Sequence, residues 1–296
     1  CYWEKEKNGE WDNILHKTWS AIFFGGQTFQ DTIDISPYTY KMIRSEAFYA
    51  SFWETINRKS NIKFIQASVE KYNHKTHVEV STSAGNYASK QLFNSLPDTS
   101  FLKQDRYPVL QQHFVGWFIK TKTDVFDDAI ATFMDFTIPQ KGNTRFMYVL
   151  PIDKQTALFE YTLFSKNLLE LAEYEAAIKS YLEHKNIKDY KIIETEKGSI
   201  PMTSYKFSKL NTKAVLNIGT AGGWTKASTG YTFYPSVKKV RKLIQHLKAK
   251  FRVTYNENVS LYTIRHYNDE AINDLEKDKV VLLKQLAQGT VQVVTK

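Results

Sequence analysis

Two carboxylates sit in apolar, aromatic surroundings on segments that read as strands. Glu160 lies within Ala157-Leu158-Phe159-Glu160-Tyr161-Thr162-Leu163-Phe164, and Asp135 within Phe133-Met134-Asp135-Phe136. On a strand, Glu160 shares a face with Leu158, Thr162 and Phe164. Desolvation there favours the neutral carboxyl and makes a general acid near neutral pH. Alternation alone favours an edge or outward-facing glutamate, and the same holds for Asp135. If adjacent strands of one sheet carry both, they could form an acid/base pair. A third feature is a Gly-rich turn, Gly219-Thr220-Ala221-Gly222-Gly223, followed by Lys226, Ser228, Thr229 and Gly230. Exposed N–H groups in such a turn can cradle phosphate or a flavin edge; a tight structural turn is an equal reading. Its lysine does not have the spacing of a Walker A loop.

Other chemistries lack their residues. The single cysteine, Cys1, excludes intrachain disulfides and thiolate zinc sites. The seven histidines show no ligand pattern beyond His74 and His77, which read as a surface coincidence, so no metal is expected. No Gly-x-Ser-x-Gly elbow supports a hydrolase triad.

The elements that must position these groups follow from periodicity. Helices are predicted over 45–58, 168–184 and 235–250, and strands over 61–69, 77–82 and 90–96. Residues 83–86 read as a turn. Between Pro108 and Ser165 four strand-like runs, 113–120, 131–138, 145–150 and 157–164, follow one another with short connections. That pattern predicts an antiparallel sheet. The 296-residue length suggests about two domains, and 43 aromatic residues among 42% apolar ones can build a large core. The chain carries a net charge of +9. The densest basic cluster (Lys238, Lys239, Arg241, Lys242, Lys248, Lys250, Arg252) shares a helix with Val240, Leu243, Ile244 and Leu247, whose stripe suits packing on a core or contact with an anionic membrane. No nucleic-acid motif accompanies it. No apolar run nears the ~20 residues of a spanning helix, and no secretory signal is visible.

Taken in order, six motifs resemble lycopene beta-cyclase of the bacterial flavoprotein type, closest to cyclases of Bacteroidetes-type bacteria. They are Gln111-Gln112-His113-Phe114-Val115-Gly116-Trp117, Phe133-Met134-Asp135-Phe136, Phe146-Met147-Tyr148-Val149-Leu150-Pro151, Glu160-Tyr161-Thr162-Leu163-Phe164, Gly198-Ser199-Ile200-Pro201-Met202-Thr203, and the Gly219–Phe233 segment. Tyr2-Trp3-Glu4 resembles the end of a further family segment. The resemblance covers about residues 1–250.

The resemblance implies a mixed α/β fold of the flavin-hydroxylase kind. A Rossmann-like FAD-binding domain (38–106 and 206–250) would interleave with an antiparallel or mixed-sheet substrate domain (1–37 and 107–205), leaving 251–296 as an atypical C-terminal segment. It implies cyclisation of the linear ends of lycopene to β-ionone rings without net redox change, using reduced FAD with NAD(P)H as reductant. Glu160 matches the family's catalytic glutamate and Asp135 its Met-Asp-Phe aspartate. Arg44, Gly219, Gly222, Gly223, Lys226, Ser228, Thr229 and Gly230 would bind the cofactor, and Phe133, Phe146, Tyr148 and Phe164 would line the substrate pocket. The enzyme would work peripherally at the cytoplasmic face of the membrane. The family's first Gly-x-Gly-x-x-Gly segment would precede Cys1, so truncation and weak FAD binding are expected. Alternative readings are an FAD-dependent monooxygenase or oxidoreductase of the same fold, and an inactive fragment.

Overall fold

A computed structural model describes residues 1–5, 8–255 and 292–293. In chain order the strands and helices are β1 (Tyr2–Glu4), β2 (Lys17–Trp19), β3 (Ala21–Gly25), β4 (Gln30–Asp34), β5 (Thr39–Met42), α1 (Ser45–Asn57), β6 (Val69–His74), β7 (Val78–Thr82), β8 (Gly85–Ser89), β9 (Leu92–Asn94), β10 (Val109–Thr121), β11 (Ile130–Asp135), β12 (Arg145–Pro151), β13 (Thr156–Ser165), α2 (Leu171–His184), β14 (Tyr190–Thr203), β15 (Val215–Asn217), α3 (Phe233–Tyr255) and β16 (Gln292–Val293). They form two compact units, one of residues 1–47 and 109–202, the other of 48–108 and 203–296. Most of the segment set apart from the sequence, residues 251–296, lies outside the described residues.

The first unit is built on a seven-stranded sheet in the order β14-β10-β13-β12-β11-β3-β4. The four strands read from sequence, β10 to β13, pair antiparallel, whereas β11 and β3 run parallel. One face takes α2. Alternate residues of the long strands, including Val115, Trp117, Phe159, Tyr161 and Leu163, pack against Tyr174, Ile178, Tyr181 and Leu182 of the helix. Helical spacing at 174, 178 and 181–182 makes one apolar stripe, which is what lets α2 lie on the pleat. On the opposite face, a small sheet of order β1-β5-β2 covers one half. There Trp19, Tyr40 and Met42 bury Phe118, Ala131, Leu150 and Leu158. On the other face of this small sheet Lys41 bridges Glu4 at 2.8 Å and Asp12 at 2.5 Å.

In the second unit, β6-β7-β8 form an antiparallel meander, and β15 and β9 pair in parallel. Val78, Val80, Leu92 and Val215 make its small strand core. The strand predicted over 61–69 starts only at Val69, where pairing with Thr82 begins. The turn predicted at 83–86 is a hairpin: Ala84 N donates to Thr82 Oγ1, and Gly85 carries a φ of +127°. β8 begins within the predicted turn, at Gly85, which pairs with Thr82. His74 and His77 bracket the β6–β7 turn, and no group of three or more metal-ligating side chains occurs among the described residues. Along α3, Val237, Val240 and Ile244 are buried while Lys238 and Lys242 are exposed, and Lys239 lies 5.6 Å over the Trp224 ring.

Candidate active site

Glu160 sits at the middle of β13, opposite Gly116 on β10 and Tyr148 on β12. Even-numbered β13 residues face away from α2, so Glu160 shares a face with Leu158 and Thr162. The small sheet covers that face as far as Leu158; beyond it Glu160, Tyr148 and Phe164 are only half-buried. The sequence thus yields an inward carboxylate at the border of a covered and an open region, not the outward edge glutamate that alternation favours.

Its partners explain its protonation. Thr162 Oγ1 donates to Glu160 Oε1 at 2.7 Å. Glu196 on β14 comes up to Glu160 across β10: its Cγ and Oε1 lie over Gly116, the β10 residue opposite Glu160. Burial, followed by the negative charge of Glu196, pushes Glu160 up to about 8 against the opposing pull of the Thr162 bond. Glu160 is therefore mostly a neutral carboxylic acid at pH 7. Sequence reading missed Glu196. The available signal was Glu194-Thr195-Glu196 alternating just ahead of the Gly198-Ser199-Ile200-Pro201 motif.

An aromatic file runs along the same face. Phe164 and Phe146 stand 5.7 Å apart, Phe146 and Tyr148 4.9 Å, and Tyr148 and Phe133 5.8 Å between centroids. Phe133 then meets Trp3 at 5.0 Å and Tyr40 at 5.6 Å. The structure brings together all four residues named for the substrate pocket. From Phe146 the file also branches through Phe136 and Phe24 to Phe29, which is 52% exposed on the β3–β4 hairpin. Rings presented in this way stabilise a cation by their quadrupoles.

Asp135 goes elsewhere. β11 is bulged: Thr132 pairs with Val149 and Asp135 with Met147, three residues against two. The extra residue turns Asp135 to the α2 face, while Phe133 stays on the face of Glu160. There Asp135 is 1% exposed. It accepts hydrogen bonds from Tyr181 Oη at 2.7 Å and from Thr137 N and Oγ1 at 3.0 and 2.6 Å. Gly25 leaves the room, since a Cβ there would lie 2.7 Å from Asp135 Oδ1. The acid/base pair of Glu160 and Asp135 therefore does not form, because the two carboxylates occupy opposite faces of one sheet.

Arg44, named for the cofactor, pairs with Glu194 and stacks 4.2 Å over the Phe118 ring. The Gly-rich turn follows β15 at the carboxyl end of the parallel β9–β15 pair, where ligands of open α/β sheets bind. It forms a 3-10 turn over Gly219–Gly222, closed by Gly223 at φ +64°. A Cβ on Gly222 would meet Asn217 O at 2.3 Å. The expected cradle is turned inward at its centre: Gly222 N donates to Ile218 O, Gly223 N to Thr220 O and Trp224 N to Gly219 O. Gly230 N is likewise bonded to Lys226 O. Gly219 and Ala221 are themselves buried, so the side of the turn open to a ligand is the exposed Lys226, Ser228 and Thr229. The turn thus fits as one edge of a flavin site.

Comparison with solved structures places the fold. A geranylgeranyl bacteriochlorophyll reductase-like protein from Thermoplasma acidophilum aligns with a TM-score of 0.58 and 8% identity, covering 95% of this chain and 74% of its own. The flavin-dependent brominase Bmp2 aligns with a TM-score of 0.50 and 13% identity, covering 92% and 77% respectively. At these identities the likeness is one of fold, the mixed α/β fold of the flavin-hydroxylase kind. No curated protein sequence matches the chain. The family model described as lycopene cyclase protein matches residues 1–280, which spans both units and every motif above, and so the chain belongs to the lycopene cyclase family.

Proposed function

We propose that the chain carries out acid-initiated β-cyclisation of lycopene end groups, with Glu160 as the proton donor. The observation that carries this reading is a carboxyl raised to about 8 beside a file of aromatic rings. Protonating a trisubstituted alkene creates a tertiary cation. The site must hold an acid at neutral pH, exclude water and stabilise positive charge. Glu160 meets the first need, and Phe133, Tyr148, Phe146 and Phe164 meet the other two. Once Glu160 has given up its proton it is an anion beside the new cation, a pairing that stabilises the charge-separated state. Asp135 is here a structural residue: buried on the α2 face, it anchors the bulged end of β11.

FAD is proposed as the cofactor, held in part by Lys226, Ser228 and Thr229 beside the Gly219–Gly223 turn, with NAD(P)H as its reductant. When bound and reduced, the flavin supplies fixed negative charge to the cationic centre. Lycopene dissolves in the bilayer, so a peripheral place on the cytoplasmic face of the membrane belongs to the same proposal. In support, Phe29, Ile33 and Tyr38 are exposed at 52, 38 and 50% on one short segment. No described helix is long and apolar enough to cross a membrane.

The test is expression of the full reading frame in cells that accumulate lycopene, with chromatography of the extracted carotenoids. Cyclised product is expected from the native protein and none from Glu160→Gln. Retained product in that variant would remove Glu160 from the chemistry; unchanged lycopene with folded, flavin-loaded native protein would overturn the cyclase reading. Fractionating the same cells should leave the protein with the membranes until salt or detergent releases it, and a fully active soluble pool would refute the membrane assignment.

A further inference from the structure

We infer that Glu196 is the positioning partner of Glu160: reaching across Gly116, it forms with Glu160 a carboxyl pair that holds one proton and returns to that state after each turnover. The inference rests on the proposed function only for its consequence; the pair itself stands on geometry.

β14 and β13 are not neighbours, because β10 lies between them. A side chain on β14 can touch Glu160 only by crossing β10, and it crosses where Gly116 faces Glu160. A Cβ at Gly116 would stand 2.9 Å from Glu196 Cγ, 3.1 Å from Glu196 Oε1 and 2.9 Å from Leu158 Cδ1. Gly116 has no left-handed φ, so the backbone does not require glycine there. The space does. Neighbouring groups leave the pair as a unit. Thr162 donates to Glu160, Glu194 is engaged by Arg44, and Tyr148 flanks Glu160 in register. Two carboxyls brought this close avoid double ionisation by sharing a proton.

The consequence for turnover balances. The Glu160 proton forms a new C–H bond with the alkene π electrons and leaves a tertiary cation. The neighbouring double bond closes the ring and moves the cation. Loss of a proton from the adjacent carbon to the pair restores a C=C, and the pair again holds one proton. No oxidant or reductant enters.

The test is infrared titration of the full chain without substrate, following the carbonyl band of a protonated carboxyl from pH about 5 to about 10. A band that persists above pH 7 and is lost in Glu160→Gln is expected. In Glu196→Gln, and independently in Gly116→Ala, its midpoint should fall by a unit or more, about tenfold less protonated Glu160 at a given pH. Circular dichroism melts confirm that the variants fold. A native band absent at neutral pH, or one whose midpoint Glu196→Gln leaves unmoved, would overturn the inference. The outcomes separate from the cyclase reading. A band that shifts in a protein inert toward lycopene supports the pair and removes the substrate, whereas cyclisation with an unmoved band sinks the pair alone.

Discussion

Replacing Asp135 by asparagine or Tyr181 by phenylalanine should cost stability and spare chemistry. Tyr181 donates to a buried carboxylate at 2.7 Å, and a hydrogen bond to a charged group is worth about 1.5–3 kcal/mol. Tyr181→Phe keeps the ring against Phe159 and removes only that bond. For a domain of this size, 1 kcal/mol moves the melting temperature by about 2–4 °C, so a fall of roughly 3–12 °C is expected. Asp135→Asn keeps the shape but turns one acceptor into a donor. Oδ1 already serves two Thr137 donors and Oδ2 serves Tyr181, so an Nδ2–H placed toward Tyr181 reverses that bond and leaves the phenol hydrogen without its acceptor. A loss of about 2–4 kcal/mol follows. Because the two changes remove one shared bond, the double variant should fall short of their sum by about 1–2 kcal/mol. Thermal melts measure the first quantities, and carotenoid conversion per folded molecule measures the second, which should stay within about threefold. An Asp135→Asn protein that melts like the native one yet makes no ring would refute the assignment and return Asp135 to the chemistry.

Two further outcomes follow from buried charge. Glu160 is raised above its unfolded value, so its contribution to stability is complete below pH about 4.5 and is lost as pH rises through about 8; the native protein should therefore lose melting temperature relative to Glu160→Gln across that window, and parallel curves would contradict it. Lys41 and Glu4 are each 5% exposed, so Lys41→Met strands a buried carboxylate and should cost about 3–5 kcal/mol in denaturant unfolding, part of it restored by adding Glu4→Gln.

The four central strands and three helices were legible because each carries its pattern locally. The apolar runs of β10, β12 and β13 are buried on both faces along much of their length, and α1, α2 and α3 repeat apolar residues at helical spacing. The shorter strands were not. β4 is exposed throughout, so no hydrophobic alternation marks it. β14 is polar over most of its length and owes its strand form to pairing with β10 rather than to its own composition. β2 and β5 are three and four residues long and exist because they pair with each other.

At the site, residue identity was legible and direction was not. Alternation assigns faces only while the ladder keeps step, and one extra residue in β11 reverses the assignment for everything after it. That single bulge separates Asp135 from Glu160 although their motifs look alike. Glu196 is the converse case. It lies 36 positions after Glu160, two strands away in the sheet, and no spacing rule connects them. What connects them is an absence: glycine at 116, on a strand whose other inward positions carry large side chains such as Phe114 and Phe118. A glycine inside a long buried strand weakens it, so its presence without a left-handed φ signals that something must pass over it. In this sheet the side chain that passes is a second carboxylate, and that contact makes an ordinary glutamate able to keep its proton at neutral pH.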